Sequence, residues 1–164
     1  MDVRDELLTA AEIAIGLAGF AGVAAVFLQR SDQRLIDRLR FVNLFVLSFA
    51  TVILAWVPLV IERMGYAGDA LWSRSSAVML LFWFLNAAIA SRVYRGLGEI
   101  TEVDFRLPMS LALLPGLISL AVQIVNLGGF LWTPQYLAYL FGIFAYLYST
   151  ALSFVYVVLF RPSE

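Results

Sequence analysis

Long apolar runs separated by short polar and charged stretches set the pattern of this chain. The runs are Leu7–Leu28, Phe41–Ile61, Ser75–Ser91, Pro108–Leu127 and Pro134–Phe160. A helix crosses a hydrocarbon core with about 20 mostly apolar residues, so each run is predicted to span a bilayer. The third is a little short, and the fourth extends on one reading to Leu131. The fifth is long enough to tilt. Apolar and polar residues do not alternate within the runs, as the strands of a membrane barrel would require. The predicted fold is therefore all-α: a polytopic bundle of five spanning helices in one integral membrane domain over residues 1–164.

Local signals mark the ends of these elements. Thr133-Pro134 reads as an N-cap followed by Pro at the first helical position, and Pro108 reads the same way for the fourth helix. Pro58 and Pro115 fall inside runs and are expected to kink the helix or delay its start. Tyr66, Trp72, Trp132 and Tyr136 sit near one set of helix ends, where an interfacial aromatic belt belongs.

Inside the runs, small and polar residues are themselves patterned. In lipid, apolar side chains gain little by meeting one another, so helices associate through close packing and hydrogen bonds, and small residues mark the contact face. The first run places Ala11, Ala14, Ala18, Ala21 and Ala25 at spacings of 3 and 4, with Gly19 and Gly22 beside them. That is one continuous packing seam. The second run aligns Ser48, Thr51, Ala55, Pro58 and Glu62. The fourth aligns Ala112, Gly116, Ser119, Gln123 and Asn126. The fifth aligns Tyr139, Gly142, Tyr146, Ser149, Ser153 and Tyr156. The remaining faces are Leu, Val, Ile and Phe and suit lipid. The partner of the first seam is either another helix of the same chain or a copy of the first helix around an oligomer axis.

Composition agrees with a membrane protein. Hydrophobic residues make up 62% of the chain and charged residues 14%, against about 45–50% and about 25% in soluble domains. The net charge of -1 offers no basic face for nucleic acid. Cys and His are both absent. Disulfides, zinc sites, thiol nucleophiles and His-based acid–base catalysis are thereby excluded. Every basic side chain is Arg, which reads as a bacterial compositional bias.

The arginines also set an expected orientation. With five spans, one side holds Arg4, Arg63 and Arg74, and the other holds Arg30, Arg34, Arg38, Arg40, Arg92, Arg95, Arg106 and Arg161. The positive-inside rule places the richer side in the cytoplasm. The N-terminus is then outside and the C-terminus inside, in a bacterial inner membrane. The acidic start MDVRDE lacks the basic region of a signal peptide, so no cleavage is expected.

Candidate chemistry is sparse. Glu12 is the deepest ionisable group, about 8 Å inside Leu7 along a helix. It reads either as a cation or proton site near an outer mouth, or as a snorkelling carboxylate in an acidic first turn with Asp5 and Glu6. A polar path would draw on Glu12, Thr51, Asn86, Ser119, Gln123, Asn126, Tyr146 and Ser149. The amides lie at different depths, Asn86 on the cytoplasmic side and Gln123 and Asn126 on the outer side, so they form no single midplane site. Between the third and fourth runs, Glu99, Glu102 and Asp104 offer carboxylates but match no calcium-loop spacing, and the stretch 92–107 reads as a solvated loop. Arg30, Arg34 and Arg38 repeat at helical spacing beside Leu35, Ile36 and Leu39, as an interfacial turn or a helix extension. No phosphate loop, GxSxG or HExxH motif occurs.

Three stretches, LAGFAGVAAVF (17–27), DRLRF (37–41) and PLVIERMG followed by LWSRSSAVML (58–80), resemble a loose group of small uncharacterised bacterial integral membrane proteins. The resemblance implies membrane residence and carries no activity. The expected function is a non-enzymatic membrane component that binds no cofactor and no metal. Its partners are the lipid bilayer and either a copy of itself or another membrane protein. A homo-oligomeric channel or small-solute transporter is the alternative.

Overall fold

The computed structural model describes the backbone over residues 2–28, 35–96, 102–130 and 134–159, and side chains over 2–23, 41–92, 114–130 and 134–155. The described residues form five helices and no strand: α1 (Val3–Leu28), α2 (Leu35–Arg63), α3 (Gly68–Gly96), α4 (Glu102–Leu127) and α5 (Gln135–Leu159). Four of them contain segments long and apolar enough to cross a membrane: Val3–Val23, Phe41–Arg63, Gly68–Arg92 and Gln135–Val155. The apolar part of α4 within the described side chains, Leu114–Leu127, is shorter.

The helices start and stop for local reasons. α1 begins behind Asp2, whose side-chain oxygen accepts the Arg4 N–H at 3.3 Å while its carbonyl accepts the Asp5 N–H at 2.9 Å. Asp5 and Glu6 add negative charge at the positive end of the helix dipole. α2 ends where Gly65 turns left-handed at φ 92°, letting Tyr66 N–H reach back to Ile61 O at 3.4 Å. α4 ends the same way, with Gly129 at φ 69° and Phe130 N–H donating to Val125 O at 3.3 Å.

Several expected boundaries move. α3 starts at Gly68 rather than Ser75, and α4 at Glu102 rather than Pro108. Pro108 therefore lies inside α4 and is not its first residue. α2 and α4 also run through Pro58 and Pro115, so neither proline marks a helix start. The expected loop 92–107 is largely helix, with α3 reaching Gly96 and α4 resuming at Glu102. Asp69, Arg74, Arg92, Arg95 and Arg106 thus lie within α3 and α4, so at these positions charge marks where a helix stops being apolar and not where it ends. Leu35, Ile36, Arg38 and Leu39 likewise belong to the first turns of α2. Arg30, Arg34, Glu99 and Trp132 lie outside the described residues, as do the side chains of Glu102 and Asp104.

The chain divides into two units. One comprises Met1–Trp56 with Ile143–Glu164, and the other Val57–Gly142. α2 and α5 each pass from one unit into the other. In the first unit, α1 buries Leu7, Ala10, Ala11, Ala14 and Ala21, and α2 buries Leu44, Leu47, Ser48, Thr51, Leu54 and Ala55. Gly22 of α1 faces Phe45 of α2, whose ring would lie 3.7 Å from a Cβ at that position. Hydroxyls here turn onto their own helices: Thr51 Oγ1 donates to Leu47 O, Ser149 Oγ to Ala145 O and Thr150 Oγ1 to Tyr146 O, each at 2.9 Å. Such back-bonding satisfies a hydroxyl where water is absent. Phe20, Phe49, Trp56 and Phe144 are meanwhile exposed. Apolar surface of that kind suits lipid rather than water.

Candidate functional site

The second unit holds the one polar cluster that ties three helices together among the described residues. α3 and α4 pack antiparallel: Ser73 Oγ donates to Leu127 O at 3.4 Å near one end, and Trp83 lies over Gly116 further along. α4 turns its small and polar seam inward, with Gly116, Ser119, Gln123 and Asn126 all buried. Their spacings of 3 and 4 put them on one helical face. Between the two packed ends, Ser76 of α3 meets Gln123 and Asn126 of α4. Ser76 Oγ donates to Gln123 Oε1 at 2.7 Å and accepts from Asn126 Nδ2 at 2.8 Å.

Both amides also reach α5. Gln123 Nε2 donates to Ala138 O at 2.6 Å, and Asn126 Nδ2 to Gln135 O at 3.2 Å. The two carbonyls belong to the first turn of α5, where each takes a side-chain donor from α4. A hydrogen bond between membrane helices contributes about 0.6–2 kcal/mol. The cluster thus staples the α4–α5 connection to α3.

Aromatic and sulfur contacts flank the staple. The Trp72 ring lies 6.1 Å from that of Tyr136 and 5.9 Å from that of Tyr139, both tilted, within the range of favourable ring pairs. On the other side, Gly142 leaves space for Met79 and Gln123. A Cβ there would overlap Met79 Sδ and lie 2.8 Å from Gln123 Nε2. The missing side chain at Gly142 is what lets the Gln123 amide reach the α5 backbone. Arg74 caps Tyr66 at the α2–α3 turn, its guanidinium 3.4 Å from the ring centroid.

The structure distributes the residues singled out in the sequence as follows. Gln123 and Asn126 come together, and Ser119 shares their face with its hydroxyl buried and without a partner. Asn86 is half-buried on α3, ten residues beyond Ser76 and about 15 Å along the helix; it does not join them. Thr51, Tyr146 and Ser149 are buried in the other unit. On α1, Ala11, Ala14 and Ala21 are buried, and Ala18 and Gly22 are half-buried. The Ala25 side chain lies outside the described residues. Glu12 is exposed.

The sequence reading missed Ser76, the hub of the cluster. Its signal was the spacing of Trp72, Ser76, Met79 and Trp83, at 4, 3 and 4 on one face of α3. Starting the third helix at Ser75 hid that face, because it left Trp72 outside the element and Ser76 at its edge.

Chemically the cluster is neutral. Its groups are one hydroxyl, two primary amides and backbone carbonyls, which bind and orient but supply no acid, base or nucleophile near neutral pH. Among the described residues, no group of three His, Cys, Asp or Glu side chains is placed to hold a metal ion. No protein-family model, curated protein or solved structure matches the chain.

Proposed function

We propose that the chain is a five-span bacterial inner-membrane protein, N-terminus outside and C-terminus cytoplasmic, that works as a non-enzymatic component through helix–helix association with itself or a partner membrane protein. A fifth span at α4 is supported by its 26-residue length and by residues 107–127, which carry no charged side chain. The orientation is supported by the arginine distribution.

The observation that carries the association reading is the outward face of α1. With Ala11, Ala14 and Ala21 buried, the same helix exposes Glu12, Gly16 and Gly19. A Cβ built on either glycine meets nothing within 4 Å. Open backbone on a membrane helix is what close packing by a neighbour requires. An exposed carboxylate inside an apolar span is costly until a partner or water covers it.

Native mass spectrometry in lipid nanodiscs, paired with crosslinking in native membranes, tests this. A defined oligomer or a captured membrane partner, lost in the Gly16→Ile/Gly19→Ile variant, is the expected result. A wild-type monomer with no crosslinked partner would overturn it. Glu12 favours the channel reading as well, since copies meeting on this face would gather their carboxylates around one axis. That reading requires liposome flux that changes on Glu12→Gln. The hydroxyls of Thr51 and Ser149, bonded to their own helices, weigh against their lining a wet path.

A further inference from the structure

The stapled α4–α5 junction has a hydrogen-bond polarity that can be worked out from its two ends. Ala138 O and Gln135 O are backbone carbonyls and only accept. The Gln123 group facing Ala138 O must therefore be its NH2, which leaves Gln123 Oε1 facing Ser76. Ser76 must give its one proton to that oxygen, so its Oγ accepts from the second amide. The Asn126 group that reaches both Ser76 Oγ and Gln135 O is then also an NH2. Neither Gln123 nor Asn126 can be flipped without setting two acceptors against each other.

What this order leaves over is an acceptor. Asn126 is fully buried, and its Oδ1 has no hydrogen-bond partner. A second acceptor, Gln135 Oε1, is also buried without a partner. The two residues are joined by the 3.2 Å bond from Asn126 Nδ2 to Gln135 O, so both oxygens belong to the same junction. Trp72, Tyr136 and Tyr139 pack beside the same first turn of α5. Buried acceptors are rarely left unmet in folded proteins.

We propose that the α4–α5 junction is a binding site for a small hydrogen-bond donor, of the size of water or an ammonium ion, held by Asn126 Oδ1 and Gln135 Oε1. Donor character follows because both unmatched atoms accept. Small size follows from the full burial of Asn126. A hard divalent cation is a poor occupant, because such ions take carboxylates and the cluster has only neutral amide oxygens. An ammonium ion is compatible with the pair, because it carries only N–H donors. Gln123, Ser76 and Gly142 are positioning residues: they orient the Asn126 amide so that its oxygen is the one left over.

The full chain in nanodiscs supplies the test. Thermal unfolding is followed during titration with ammonium chloride, against sodium and potassium chloride at matched ionic strength. Magnetisation transfer from water to the Asn126 side-chain NH2 is measured by NMR in parallel. An ammonium occupant gives a saturable upward shift of the unfolding midpoint that sodium and potassium do not give. A water occupant gives no salt-specific shift but a long-lived water signal at Asn126. Either signal is expected to vanish in Gln135→Leu, which removes one acceptor and leaves the stapling bonds in place. Either is expected to persist in Ser149→Ala, whose hydroxyl bonds only its own helix. Absence of both signals in the wild-type protein would overturn the proposal, as would a signal that Gln135→Leu leaves unchanged.

Discussion

Gly142 and Gly16 lie in apolar helices of similar character, yet their surroundings differ in kind. A methyl group at Gly142 would meet Met79 and the Gln123 amide, whereas one at Gly16 meets nothing within 4 Å. Met79 is flexible and can yield. The Gln123 amide is held by Ser76 on one side and Ala138 O on the other, and can move only by giving up those bonds. Gly142→Ala is therefore expected to destabilise the protein by about 1–3 kcal/mol, the usual cost of overpacking. Gly16→Ala is expected to be neutral or to stabilise by about 0.5–1 kcal/mol, through the lower backbone entropy of alanine in a helix. Unfolding titrations of both variants in the same micelle check the pair, and a loss at Gly16 as large as that at Gly142 would contradict the open face assigned to α1.

At the scale of elements, the α4–α5 connection depends on more than apolar length. α4 stops where Gly129 takes a left-handed φ of 69°, and the Phe130 N–H closes back on Val125 O at 3.3 Å. A residue with a Cβ pays roughly 1–2 kcal/mol for that conformation. Gly129→Ala is expected to lower stability by about that amount and to raise hydrogen exchange at the start of α5, where Gln123 and Asn126 are bonded. Gly19→Ala, with no such φ and nothing over it, is the control. Equal exchange in the two variants would show that the turn does not hold the staple in place. The element boundaries carry a related lesson. Arg74, placed between two apolar runs in the sequence, lies inside α3, because helix propensity does not require apolar residues and a charged turn can continue a helix beyond its apolar part.

For the whole molecule, orientation is the open quantity with the most direct test. The absence of native cysteine makes single introduced thiols clean reporters. Ala67→Cys, in the exposed α2–α3 turn, and Phe130→Cys, exposed after α4, are expected to react with an impermeant maleimide from outside intact spheroplasts. Ser91→Cys, exposed toward the end of α3, is expected to react only after lysis. The opposite pattern would put the N-terminus in the cytoplasm and reverse the reading of the arginines. Labelling of all three from outside would reject the span at α3.

The order of apolar and polar residues was sufficient for the helical class, for the five helices and for buried faces on α2, α4 and α5, but it did not mark the face of α3 that carries Ser76. Those faces follow from a 3.6-residue period that is local to each segment, and the alignment of Ser48, Thr51 and Ala55, or of Gly116, Ser119, Gln123 and Asn126, is visible without any partner. Which amide meets which carbonyl is not local. Gln123 is fifteen residues from Ala138 and forty-seven from Ser76, and no periodicity relates positions so far apart. That pairing needs the antiparallel register of α3 against α4, the left-handed turn at Gly129 and the space left at Gly142 to be satisfied together. The same holds for the faces of α1: the alanines and glycines of one small-residue helix look alike along the chain, and packing alone separates those that are covered from those that stay open.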